Sequence, residues 1–248
     1  MIAIISAMPE EMQTLLEGMQ VKESITKGKR DYYQGTLYGK EIVLVFSRWG
    51  KVAAATTTTQ LFNLFDIKEV IFSGVAGALD NGLNIGDIVV GTELIQYDMD
   101  ASPLYPTLEI PLLGKTSFST SNTEKLTTAT QLFFKNYDSF FKNEPKDFGI
   151  NKPKLKLGMI VSGDQFINSN TKINEIKTLV PNALCVEMEG AAVAQVCYEY
   201  NIPFQIIRII SDKANDNSHI DFPVFASEVA GKYAAGIMKY YLTRLGVS

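Results

Sequence analysis

Short apolar runs alternate with longer amphipathic stretches along most of this 248-residue chain, and that alternation is the signature of a layered α/β fold. Ile2–Ser6 reads as a buried first strand, and Pro9 opens a helix carrying Met12, Leu15 and Leu16. Tyr32–Tyr38 and Ile42–Ser47 are strand-like and joined at Gly39-Lys40, a plausible hairpin turn. Lys51–Phe65 has a helical pattern despite its β-branched Thr56–Thr59 run. Val70–Ser73 reads as a buried strand that stops at Gly74, and Asp87–Gln96 as a longer one.

The stretch from Tyr97 to Ser119 carries three prolines and little periodicity, which predicts a long loop. A helix pattern returns over Asn122–Lys142, followed by a polar connection over Asn143–Lys154. Leu155–Val161 and Ala183–Val186 read as strands on either side of a short helix, Thr171–Leu179. Gly190–Tyr200 is helical, Phe204–Ser211 is a strand ending at Asp212, and Phe222–Leu245 is a closing amphipathic helix. No internal repeat is seen, and one domain spanning residues 1–248 is expected.

Composition narrows the function. The chain has 23 Lys+Arg against 27 Asp+Glu, a net charge of −4, with no basic footprint for nucleic acid. Nowhere do about 18 apolar residues run together, so no membrane span is expected. Two cysteines, Cys185 and Cys197, exclude a disulfide framework or a Cys-rich metal site. Their apolar surroundings predict buried thiols in a reducing compartment, and the expected location is the cytoplasm. A single histidine, His219, leaves no means for a Ser-His-Asp triad or a multi-histidine metal site. No phosphate-loop or dinucleotide glycine motif occurs, so neither metal nor organic cofactor is expected. Proton chemistry therefore falls to carboxylates.

Acidic residues cluster where strands end. Glu10 and Glu11 follow the first strand, Glu187 and Glu189 follow Ala183–Val186, and Asp212 follows Phe204–Ser211. Ligands of open α/β sheets gather at such carboxyl ends. Two readings stand for the apolar run Cys-Val-Glu-Met-Glu-Gly-Ala-Ala: a functional pair of glutamates, or a structural one. In the structural reading Glu187 pairs with Arg208, and Glu189 sits at a helix N-terminus. Two glycine turns, Ser73–Ala78 and Ser162–Phe166, also follow strands, and Phe166 offers a ring face to a heterocycle.

Taken together these motifs resemble the 5′-methylthioadenosine/S-adenosylhomocysteine nucleosidases, within the purine nucleoside phosphorylase superfamily. The matching pieces are Ile-Ile-Ser-Ala-Met-Pro-Glu-Glu (4–11), Trp-Gly-Lys-Val-Ala-Ala (49–54), Phe-Ser-Gly-Val-Ala-Gly-Ala (72–78) and Gly-Asp-Ile-Val-Val (86–90). They continue with Val-Ser-Gly-Asp-Gln-Phe-Ile (161–167), Val-Glu-Met-Glu-Gly-Ala-Ala (186–192) and Arg-Ile-Ile-Ser-Asp (208–212), in family order across nearly the whole chain. The resemblance implies a three-layer α/β/α sandwich around a twisted mixed β-sheet, assembled as a homodimer, and no cofactor. It implies hydrolysis of the N-glycosidic bond of a small-molecule nucleoside. The substrates would be methylthioadenosine and S-adenosylhomocysteine, with 5′-deoxyadenosine a further one.

The same resemblance places three carboxylates in the chemistry: Glu11 as base on the attacking water, Asp212 as proton donor to N7 of the departing purine, and Glu189 on the ribose hydroxyls. An acid at Asp212 must be protonated near neutral pH, so its site is expected to raise its pKa. Met188 packs on the sugar, Phe166 stacks on adenine, and the Ile167 backbone bonds the base. Ala76 and Gly77 form the turn beside the ligand, Met8 and Phe222 wall the ribose and thioalkyl side, and Glu187 and Arg208 complete the expected binding residues. The chain departs from the family pattern at Arg48-Trp49, where many relatives have glycine and a small aliphatic residue. It departs again at Val75 and in the loop 98–106. Two alternatives remain at this level: a nucleosidase for a related compound such as aminodeoxyfutalosine, and a phosphate-dependent phosphorylase. The second would want several arginines around an anion, and this chain has Arg30, Arg48, Arg208 and Arg244.

Overall fold

A computed structural model describes residues 1–141, 150, 153–214, 222 and 225–244. The 143–154 connection lies largely outside the described residues, as do His219 and parts of 222–245. Among the described residues ten strands form one mixed sheet: β1 (Ile2–Ser6), β2 (Gln20–Lys27), β3 (Arg30–Leu37), β4 (Lys40–Phe46), β5 (Glu69–Ala78), β6 (Ile88–Gln96), β7 (Phe118–Ser119), β8 (Leu155–Ser162), β9 (Ala183–Glu187) and β10 (Phe204–Asp212). The helices are α1 (Pro9–Glu17), α2 (Lys51–Leu64), α3 (Glu124–Lys135), α4 (Tyr137–Phe140), α5 (Asn170–Leu179) and α6 (Gly190–Glu199). A π-helical turn, Ala226–Ala230, then leads into α7 (Gly231–Arg244).

Period-two alternation distributes the strands between two cores. Ala3, Ile5, Val43, Val45, Val70 and Phe72 face one side, where Ala54 and Leu61 of α2 and Ala191–Ala194 and Cys197 of α6 cover them. Ile4, Ile42, Leu44 and Ile71 face the other, under Leu15 of α1, Leu126 and Phe133 of α3, and Tyr233, Ile237 and Tyr241 of α7. Helix layers on both faces of a mixed sheet match the expected fold class.

β1 runs parallel to β4 and β5, and β5 is parallel to β10. β6, β8 and β9 run parallel to one another but antiparallel to β5 and β10 where they meet them. The pairings β5–β10–β6–β8–β9–β5 therefore close on themselves, a ring within the sheet that periodicity does not reveal. β5 and β9 overlap only at Gly77↔Val186 and Ala78↔Cys185, at their carboxyl ends. Strands arriving from opposite directions thus deliver their last residues to one place.

Local details differ from the sequence pattern, among them a short strand, Phe118–Ser119, at the end of the 97–119 loop and the π-helical turn within the closing helix. β5 does not stop at Gly74 but runs on to Ala78, in register with β10 (Arg208↔Gly74). Gly74 is there for space: a Cβ would come 2.8 Å from the Ala7 Cβ and 3.0 Å from Arg208 Nη1. β2 was not visible in the sequence because it is an edge strand exposed on nearly every residue, with no apolar alternation to mark it. The Asn122–Lys142 pattern splits into α3 and the short α4. The threonine run in α2 is accommodated as helix because Thr56, Thr57 and Thr58 each donate a hydroxyl to the carbonyl four residues back. Among the described residues no helix is long and apolar enough to cross a membrane.

Candidate active site

Arg208, in the middle of β10, is fully buried, and that location dictates its partners. Its Nη2 and Nε donate to Oε2 of Glu187 at 2.6 and 3.2 Å, its Nη1 to the Ile207 carbonyl at 3.0 Å, and its guanidinium lies over the Phe72 ring. Glu187, the last residue of β9, also accepts the backbone N–H groups of Glu189 (3.1 Å) and Gly190 (2.8 Å) and the hydroxyl of Ser162. Its carboxylate thus cradles the first N–H groups of α6 while neutralising the guanidinium. The pairing of Glu187 with Arg208 that one of the two readings expected is present. Glu187 nonetheless also lines the cleft, whereas Arg208 lies behind it.

Glu189 occupies the N-cap position of α6 without a capping bond from its side chain, and it is buried. Its Oε1 accepts the Gly50 N–H at 2.8 Å. Burial, then the nearby Glu187 charge, raises its pKa, against the pull of Arg208 and the Gly50 bond. Glu11, in the first turn of α1, is wholly buried. Its Oε2 accepts from Ser6 Oγ at 2.9 Å and its Oε1 from Ser73 Oγ at 3.3 Å. Burial pushes its pKa up to about 7, although the Ser6 bond and Arg208 both oppose the rise. One guanidinium therefore serves three buried carboxyl groups, and two of them are held closer to neutrality than an exposed glutamate. Such groups can take up or release a proton near neutral pH.

Asp212 ends β10 opposite Gly77. Its Oδ1 accepts the Ala214 N–H at 2.7 Å and its Oδ2 the Ser211 hydroxyl at 2.8 Å. A Cβ at Gly77 would come 3.0 Å from Oδ1, so only glycine leaves this carboxyl its place. Asp212, Gly77, Phe166, Ile167, Glu187 and Met188 wall one cleft, completed by Gln165 and Val186. Phe166 is 45% exposed at its rim. It meets Phe222 edge-on at 5.7 Å, and Phe222 in turn meets Trp49 at 6.3 Å. Met8 and Ala76 are buried at the start of α1 and in β5. Glu11 and Glu189 both feel the charge of Arg208, and Glu189 also that of Glu187 in the cleft wall.

Several residues that hold this arrangement were not singled out from the sequence. Ser6, Ser73, Ser162 and Gly50 lie inside quoted motifs, but nothing in a serine or glycine marks it as a carboxylate partner. Around the rim, Asp164 accepts the Lys51 N–H at 2.7 Å, and its own N–H reaches Asp98 at 2.9 Å. Lys51 Nζ closes the set on Asp98 at 2.6 Å. The segments carrying Asp98 and Asp164 are thereby tied to the N-terminus of α2. Trp49, one of the residues departing from the family pattern, fixes its indole N–H on the Ala7 carbonyl at 2.9 Å.

A mixed sheet covered on both faces, with buried carboxyl groups converging on strand ends beside an aromatic rim, defines a nucleoside phosphorylase-like protein. The chain belongs to the phosphorylase superfamily, whose family model matches residues 1–243. Within it, the chain is 37% identical over 231 residues to the 5′-methylthioadenosine/S-adenosylhomocysteine nucleosidase of Staphylococcus carnosus, covering 93% of this chain and 94% of the relative. Among solved structures it is similar to S-adenosylhomocysteine nucleosidase from Streptococcus pyogenes in complex with 5-methylthiotubericidin, with TM-score 0.84 and 32% identity over 99% of this chain and 97% of the other. A futalosine hydrolase from Helicobacter pylori is similar too, with TM-score 0.82 and 33% identity over 98% and 97%. By these likenesses it is a member of the methylthioadenosine/S-adenosylhomocysteine nucleosidase family.

Proposed function

We propose that this protein hydrolyses the N-glycosidic bond of 5′-methylthioadenosine and S-adenosylhomocysteine, releasing adenine and the thio-substituted ribose. The observation that carries the reading is the meeting of Asp212 with Phe166 and Ile167 on one cleft, while Glu11 and Glu189 both feel the guanidinium of the Arg208–Glu187 pair. Breaking this bond builds positive charge on the ribose and negative charge on the purine. In this reading adenine stacks on Phe166 and bonds the Ile167 backbone. Asp212 donates a proton to N7, and Glu189 binds the ribose hydroxyls with Met188 against the sugar. Glu11 takes a proton from the attacking water, a task suited to a carboxyl with pKa about 7. Met8, Ala76, Gly77 and Phe222 shape the sugar side.

Water is favoured over phosphate as nucleophile because Arg208 and Arg48 are engaged. Arg208 is bound to Glu187, and Arg48 donates to the Lys29 carbonyl. The test is adenine release from methylthioadenosine, S-adenosylhomocysteine, 5′-deoxyadenosine and aminodeoxyfutalosine, with and without phosphate. Turnover of the first two without phosphate is the expected result. A phosphate requirement, or turnover of aminodeoxyfutalosine alone, overturns it.

The same reading includes a two-fold homodimer. Leu104 and Leu112 in the 97–119 loop are 85% and 92% exposed, and Trp49 nearby in sequence to α2 is 56% exposed. Apolar side chains presented this way suit an interface. Sedimentation at micromolar concentration is expected to give a dimer, and a fully active monomer refutes it. Cytoplasmic location is part of the proposal, supported by the two buried free cysteines, Cys185 and Cys197.

A further inference from the structure

Ser6 and Ser73 occupy the same level of two neighbouring strands. β1 and β5 are parallel, and their register pairs Ser6 with Ser73 directly. Both side chains are buried, and both hydroxyls reach one carboxyl group, Ser6 to Oε2 of Glu11 and Ser73 to Oε1. A carboxyl gripped at both oxygens from two adjacent strands has its plane fixed. The side chain of Ser6 makes two further contacts, to the Met8 carbonyl at 2.8 Å and from the Met8 N–H at 3.2 Å.

We propose that Ser6, assisted by Ser73, is a positioning residue for Glu11, holding the Oε2 edge of the carboxyl in one orientation whether or not it carries a proton. The inference rests on the reading of Glu11 as the group that takes a proton from water. A hydroxyl has one hydrogen to give and lone pairs to receive with. When Glu11 is ionised, Ser6 donates to Oε2 and receives the Met8 N–H. When Oε2 carries the proton, it donates to Ser6 Oγ, whose hydrogen turns to the Met8 carbonyl. Neither state leaves Ser6 or Oε2 unpaired, and no covalent bond of the serine breaks. Buried groups left unpaired are costly, so this two-way contact lets Glu11 titrate without moving.

The surroundings give Ser6 the leading part. β1 and β5 bring the two hydroxyls, β10 brings Arg208, and α1 itself brings Glu10. Among the influences that oppose the effect of burial on Glu11, the Ser6 bond comes first, ahead of Arg208 and the longer Ser73 bond. From α7, Gly231 faces Thr14 and the Glu10 carbonyl of α1.

The test is the pH dependence of kcat/KM for methylthioadenosine in Ser6→Ala, Ser73→Ala and Glu11→Gln. Losing the Ser6 donor is expected to move the acid limb upward by about half a pH unit or more, with a smaller shift for Ser73→Ala. At pH 6 Ser6→Ala should lose several-fold more activity than at pH 9, a pattern a merely structural defect does not produce. Ser6→Thr, which keeps the hydroxyl, should restore the wild-type limb. In the Glu11→Gln background Ser6→Ala should add little further loss, because it acts through the carboxyl. If Ser6→Ala fails to fold, Ser73→Ala decides on the same limb. An acid limb unchanged in both serine variants, with Glu11→Gln inactive, overturns the inference alone. Wild-type turnover by Glu11→Gln overturns the functional reading beneath it.

Discussion

Gly50 and Glu189 are 139 residues apart in the chain, yet the Gly50 N–H donates to Glu189 Oε1 across 2.8 Å. Gly50 has φ of +90°, a conformation L side chains rarely adopt, and a Cβ there would come 3.1 Å from Asp164 Oδ1. The turn before α2 therefore aims one backbone donor at a buried carboxyl on the far side of the site. Gly50→Ala should cost about 1–3 kcal/mol of stability and raise KM for the nucleoside more than it lowers kcat. Urea denaturation and steady-state kinetics check this, and an unchanged KM counts against the contact.

The Arg208–Glu187 pair should be the most stability-sensitive contact in the site. Arg208→Met leaves the Glu187 carboxylate buried without its partner, a loss of about 3–5 kcal/mol. A shift in the urea midpoint equivalent to less than about 1 kcal/mol would mean that water reaches Glu187 and shields it.

Glu11 makes stability depend on pH in a definite direction. Folding raises its pKa from 4.5 to about 7, so between those values the folded chain keeps a proton the unfolded chain has released. Its contribution to stability therefore falls as pH rises through that window and stays low above it. Glu11→Gln should be more stable than wild type at pH 8, by up to about 3 kcal/mol, with little difference near pH 4. The same variant should lose turnover by about 100-fold or more. Thermal melts at the two pH values decide it, and an equal gap at both would refute the buried charge.

Asp212→Asn keeps the size of the side chain but cannot deliver a proton. Adenine release should fall by about 100-fold or more. An analogue whose leaving group needs no protonation should lose far less. Equal losses on both substrates would leave Asp212 with only a role in placing the base.

Phe166 is half exposed, so Phe166→Ala should change stability by less than about 1 kcal/mol. Base stacking on an aromatic ring contributes about 1–3 kcal/mol, so KM should rise roughly tenfold. An unchanged KM would move the adenine elsewhere.

The residues of the site differ in how far the sequence exposes them. Glu11, Glu187, Glu189 and Asp212 stand out because charge within or beside apolar runs is costly and therefore conspicuous. The buried strands β1, β6 and β10 stand out because mostly apolar runs of that length report burial on both faces. β2 does not, since an exposed edge strand is defined by its hydrogen-bonded neighbour β3 and not by its side chains. Gly74 reads as a stop from the sequence alone, whereas in the sheet it is the gap that makes room for Arg208.

Apolar period and strand-end carboxylates thus determined the layered α/β class and the type of proton chemistry, because both are written in the order of side chains along one segment. The closing of β5, β10, β6, β8 and β9 into a ring, the union of Glu187 with Arg208, and the level at which Ser6 meets Ser73 were decided only in three dimensions. Each depends on register between segments far apart in the chain. A one-residue slip in pairing turns a side chain to the opposite face, and no local pattern records which register the packed sheet will choose.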